Sequence, residues 1–254
     1  MNAELQKASI SKRIAAAILD FMLLVIIVTG AATLLSNIFG YADNISTMEA
    51  REKHFETEYG IVFRISEDEL NSMTDEQRQN YEAAFEALKA DEEYIYAWYL
   101  QFNLILLITT FSILLGTLVV EFIIPLLLKN GQTVGKKVFA LGLVREDGVQ
   151  LTTLQLFIRS VLGKFTIETM VPVYIIIMLF FNTANIVTLA ILAALLLGQI
   201  ISLIATKTNA AIHDLLARTV VIDMPSQRIF KSSEELLAYT KKIHAERASR
   251  SDYK

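Results

Sequence analysis

Four stretches of the chain run apolar for longer than any amphipathic helix or half-buried strand allows, and each reaches the roughly 20 residues needed to cross a bilayer. They cover about 14–38, 99–128, 162–181 and 186–206. Only Asn182-Thr183-Ala184-Asn185 separates the last two, so 162–206 reads as a tight helical hairpin. The predicted fold class is therefore an all-α polytopic membrane protein with four transmembrane helices.

Polar residues are confined to the stretches between. Residues 39–98 form an acidic segment with helical signals of its own. Ser66-Glu67-Asp68-Glu69 and Thr74-Asp75-Glu76-Gln77 both fit the capping box, in which a hydroxyl and a carboxylate or amide satisfy the first free amides of a helix. After the second, Tyr81, Phe85 and Leu88 recur at helical spacing. Tyr94, Tyr96, Trp98 and Tyr99 then sit where an aromatic interface belt belongs. In the 129–161 linker, Val138–Val144 and Val149–Leu151 flank Asp147-Gly148, which predicts a tight hairpin turn because glycine accepts positive φ. The 207–254 region reads as an interfacial helix followed by a basic tail, and 1–38 as a short stub leading into the first span.

Charge sets the orientation. The 39–98 segment carries five basic against fifteen acidic residues. The first 13 residues carry three basic against one acidic, the 129–164 stretch six against two, and residues 207–254 nine against six. Positive charge concentrates on the cytoplasmic side, so both ends and the linker are expected inside and the acidic segment outside. The expected location is a plasma membrane of bacterial type. Hydrophobic residues make up 54% of the chain and cysteine is absent, which excludes a disulfide framework, thiolate metal sites and thiol catalysis. The three histidines are scattered, so neither a metal site nor any other cofactor is expected. No catalytic triad, zinc-protease or dinucleotide pattern is present, and the chain is read as non-enzymatic. Its scattered basic residues suit anionic lipid headgroups better than nucleic acid.

The apolar spans carry a few ionisable residues, and those are costly enough to need a reason. Arg13 and Asp20 stand seven residues apart, two turns, and share a face with Ala16 and Ala17, where another helix can approach closely. Glu121 precedes Pro125 by four residues and Glu168 precedes Pro172 by four, so each glutamate's own carbonyl loses its helical donor. A carboxylate beside a loose carbonyl suits hard cations. Asp20, Glu121 and Glu168 fall in one layer ~9–11 Å inside the span ends at 1.5 Å per residue. Like charges gathered there would raise one another's pKa toward a proton-exchanging range. The alternative is that these acids pair with Arg13, Arg159 or Lys164 and lock packing. Gly131-Gln132-Thr133-Val134-Gly135-Lys136 is one residue short of a P-loop and lacks its Ser/Thr.

Lys12-Arg13-Ile14-Ala15-Ala16 through Asp20, Gly131 to Lys137 with Leu141-Gly142-Leu143-Val144-Arg145, and Ile212-His213-Asp214-Leu215-Leu216-Ala217 occur in the order of the RDD membrane proteins, which the chain resembles over 8–38 and about 115–222. The resemblance implies that Arg13, Asp20 and Asp214 are the family's arginine and two aspartates, with Gly131, Gly135, Lys136 and His213 in supporting motif positions. Arg218 stands where a glycine is common. Asp214 is expected to reach Arg13. Family members resemble cation/proton antiporters in some cases and regulatory partners of membrane peptidases in others. Two readings follow: exchange of monovalent cations for protons through Asp20, Glu121 and Glu168, or a non-transporting regulator or assembly partner. Four spans are few for a transporter, so a homo-oligomer or a membrane-protein partner is expected in the bilayer.

Overall fold

The computed structural model describes Leu5 and residues 7–251, so the outermost parts of the stub and the basic tail lie outside the described residues. The chain divides into two compact units, one of Met1–Val28 with Ile113–Lys254 and the other of Thr29–Ser112. Four helices are long and apolar enough to cross a membrane: α1 (Ile10–Ile38), α5 (Glu92–Leu128), α7 (Thr153–Phe180) and α8 (Ile186–Ala205). Large apolar side chains lie bare along them, Phe21, Ile26, Leu127, Phe180 and Ile204 among them, as a lipid-facing surface requires. Of the 29 residues of α1, only Ala16 and Asp20 are buried.

The third span begins earlier than its apolar run. Its first turn is fixed by a capping box in which Thr152 and Gln155 exchange side-chain and backbone hydrogen bonds. Residues 158–170 then run in π register, as do Leu118–Ile123 of α5 just before Pro125. A π turn bonds i to i+5, so it relieves the proline clash and stacks residues five apart.

The unit 29–112 holds α2 (Tyr41–Tyr59), α3 (Glu67–Asn71) and α4 (Asp75–Ala90) with the adjoining halves of α1 and α5. Both expected capping boxes are present, at Ser66 and Thr74. Arg51 grips the Asp91 carboxylate with two hydrogen bonds, and Asn44 donates to the Ala97 carbonyl and the Gln101 side chain, each at 2.9 Å. Ala84, Leu88 and Ala97 fill the interior.

In the other unit the connecting segments are folded together. After the short α6 (Val134–Val138), β1 (Leu141–Arg145) pairs antiparallel with β2 (Thr219–Asp223), from Leu141 opposite Asp223 to Arg145 opposite Thr219. The Lys7–Ala8 segment adds a bridge on the free edge of β2, with the Ala8 amide donating to the Val221 carbonyl at 3.2 Å. A purely helical expectation therefore needs one correction: a small sheet ties the linker to the chain beyond the fourth span. The Asp147-Gly148 turn forms, with Gly148 at φ 83°, yet its returning strand meets β1 only at the Val144–Gln150 bridge. β2 takes the main partner position because Val220, Val221 and Ile222 bury fully against Leu141, Leu143 and Val144. The helices α9 (Ile212–Ala217) and α10 (Ser233–Ser251) flank β2 in sequence.

Arg218 ends α9 in the left-handed region, φ 53° and ψ 53°, with its amide bonded to the carbonyls of Asp214 and Leu215. A Cβ is strained there, whereas glycine accepts this conformation without cost. Arg218→Gly is expected to stabilise the folded protein by about 1 kcal/mol, read as a higher thermal midpoint in detergent micelles.

Candidate functional site

Asp20 is 4% exposed on a helix whose other faces meet lipid, so its carboxylate must be matched internally. The match comes from the glycine-rich linker. The Thr133 hydroxyl donates to one oxygen at 2.5 Å and the Gly135 amide to the other at 2.7 Å. Gly135 is required by the approach itself, because a Cβ there would collide with the Ala16 carbonyl oxygen. The small face at Ala16 thus receives α6 rather than another span. The segment resembling a P-loop does present an amide and a hydroxyl to an anion, and the anion is the protein's own aspartate.

Glu121, 2% exposed, is enclosed by three bases. Lys164 donates a hydrogen bond to one of its oxygens, while Arg159 lies 3.5 Å and Lys136 3.7 Å from the other. Arg159 and Lys164 are five residues apart in the π segment, the register that lets both meet one carboxylate. The Glu121 carbonyl, deprived of its helical donor by Pro125, accepts from the Ser160 hydroxyl at 2.7 Å.

The second aspartate closes the network. Arg159 Nε donates to Asp214 at 2.9 Å and its Nη2 meets His213 Nε2 at 2.9 Å. Arg13 approaches the other Asp214 oxygen at 3.3 Å and donates to the Asn209 carbonyl at 2.6 Å. Glu168 receives both the backbone amide and Nδ1 of His213, at 2.8 and 2.7 Å. Gly163 lets α7 settle on α9, since a Cβ there would lie 2.7 Å from the Cα of His213. Burial alone would raise the Asp214 carboxyl, but Arg159, then His213 and Arg13, hold it well below the usual carboxylate range. Burial pushes the Lys136 ammonium down to about 8, with the attraction of Glu121 opposing the shift.

All the residues singled out from the sequence lie in this network except Gly131. That glycine sits just before it in a left-handed turn at φ 61°, too close to Leu143 and Leu151 for a side chain. Arg13 and Asp20 do not pair with each other; Arg13 serves Asp214 and Asp20 serves α6. The three carboxylates Asp20, Glu121 and Glu168 are gathered, but each meets its own donors instead of another acid. Arg159, Lys164 and Thr133 are the central residues that the sequence left in secondary roles. The five-residue spacing of the two bases was their signal, and it is meaningful only in π register.

The chain matches the RDD family over residues 7–218, most of its length, and belongs to that family. No curated protein and no solved structure matches it.

A lysine whose folded pKa lies below its unfolded value of 10.5 binds fewer protons folded than unfolded between about 8 and that value. Its burial therefore costs most stability below pH 8, and the cost fades as pH rises toward 10.5. Lys136→Met removes the titration and leaves Arg159 and Lys164 on Glu121. The stability of wild type relative to this variant is expected to rise across pH 8 to 10.5, measured by thermal or denaturant unfolding in detergent.

Proposed function

We propose that this RDD-family chain is a multi-pass plasma-membrane protein, with both ends and the 129–161 linker in the cytoplasm, that acts as a non-transporting regulator or assembly partner of another membrane protein. The observation that carries the reading is the saturation of every candidate exchanging carboxylate. Asp20 holds a hydroxyl and an amide, Glu121 three bases, and Glu168 the two nitrogens of His213. A transported cation would have to displace donors tethered on several segments, at the expense of the packing they hold. The orientation rests on the basic residues flanking the spans. It puts the acidic 39–98 segment outside, available to a partner.

Cation/proton exchange is the second reading, and one feature favours it. Burial lowers the Lys136 ammonium to about 8 beside Glu121, so its proton loss would remove one of the three bases that hold this buried carboxylate. Four spans would then need a homo-oligomer to form a pathway.

Vesicles containing only this protein are expected to show no cation-driven pH change. A cation-dependent proton flux that Glu121→Gln abolishes would establish the second reading instead. Deleting residues 45–90 should release a co-purifying membrane partner while the core stays folded.

A further inference from the structure

A cavity of about 110 Å³ opens beside the charge network, inside the unit formed by Met1–Val28 and Ile113–Lys254. Arg13, Lys136, Arg159, Lys164 and His213 line it together with Asp20. The balance of these walls differs from that of the network as a whole. Glu121 and Asp214, 2% and 1% exposed, do not line it, so four bases and one acid face the cavity. That acid is already engaged, with one Asp20 oxygen on Thr133 and the other on Gly135.

The bases also hold donors to spare. An ammonium offers three N–H groups and a guanidinium five. Among the described residues Lys164 uses its ammonium on Glu121 alone. Arg159 spends one bond from each nitrogen, on Asp214, Glu121 and His213. The bonds from Arg13 to Thr208, Asn209 and Asp214 come from its two terminal nitrogens, which leaves Nε–H unused among the described residues. Surplus donors around a small space call for a compact ligand with several acceptor oxygens. Bases lining the space disfavour a cation there, and an anion with several oxygens meets more of the spare donors than a single water can. About 110 Å³ holds a few waters or one tetrahedral oxyanion, at a share of ~30 Å³ per liquid water. Arg13 lies in the first turn of α1, where the apolar run begins, so the cavity mouth sits at headgroup depth.

We propose that this cavity binds a phosphate group, carried on an anionic phospholipid headgroup or free in solution. Arg13 and Lys164, the more exposed bases at 16% and 31%, close on it from α1 and α7, while Arg159 and Lys136 form its floor. The site goes beyond the regulatory role above and stands whether or not a partner docks on the acidic segment.

The test uses the full-length protein in two nanodisc preparations, with the thermal midpoint and native mass spectrometry as readouts. In phosphatidylcholine discs, inorganic phosphate is titrated. In phosphate-free buffer, phosphatidylglycerol is introduced into the same discs. Saturable stabilisation or a retained adduct in the first arm assigns free phosphate, and in the second arm assigns the headgroup; either supports the site. Lys164→Gln should weaken the effective arm by about tenfold or more, the loss of one charge-assisted hydrogen bond. Lys164→Arg should retain it, and Lys129→Gln, on the exposed linker, should leave it unchanged. No response in either arm overturns the proposal, as does an equal loss in Lys164→Gln and Lys129→Gln.

Discussion

Arg159 is 2% exposed and holds Glu121, Asp214 and His213 at once, joining α5 and α9 to α7 through one guanidinium. In a bilayer the apolar faces of helices gain little by leaving lipid for one another, so van der Waals fit and polar contacts must choose the arrangement. The planar fork of arginine suits that task because its five donors point in fixed directions. A buried ion pair adds little net stability over a well-packed apolar equivalent, but removing one partner strands a charge at a cost of about 3–5 kcal/mol. The contribution of Arg159 is accordingly one of selection. Misregistered packings of α7 would leave two carboxylates and a guanidinium unmatched in low dielectric.

Asp20 performs the complementary task for α1. Apart from Ala16, it is the only buried residue of that helix, so its carboxylate on one amide and one hydroxyl of the linker anchors the buried face of the first span. The linker is held in turn by β1 on β2, and β2 by the Lys7–Ala8 edge. Charge network and sheet therefore brace the same segments from two sides, and the glycines at 135 and 163 mark where backbones come too close for a side chain.

The four spans were legible from apolar run length because a bilayer imposes a length that few other environments require. The capping boxes at Ser66 and Thr74 were legible because their chemistry is local. Arg13, Asp20 and Asp214 could be singled out as costly residues, and the Arg13–Asp214 contact follows from the family pattern. The sheet was not legible. Its strands lie more than 70 residues apart, and the Asp-Gly turn beside β1 pointed to a nearer partner. The π segments were equally hidden, since nothing in the composition of 158–170 distinguishes i+4 from i+5 bonding. Without that register Arg159 and Lys164 fall on different faces, and Glu121 looks like an acid in search of a cation.

The contacts that settle α1 carry a consequence for how the protein is made. Asp20 finds Thr133 and Gly135 113 and 115 residues later, and Arg13 finds Asp214 201 residues later. At about 5–20 residues per second of synthesis, the first helix waits roughly 6–23 s for the linker and about 10–40 s for α9. During that interval its aspartate and arginine have only each other, two turns apart, or water at the membrane surface. The final depth and rotation of the first helix are thus set only once α9, which follows the last span, has been made.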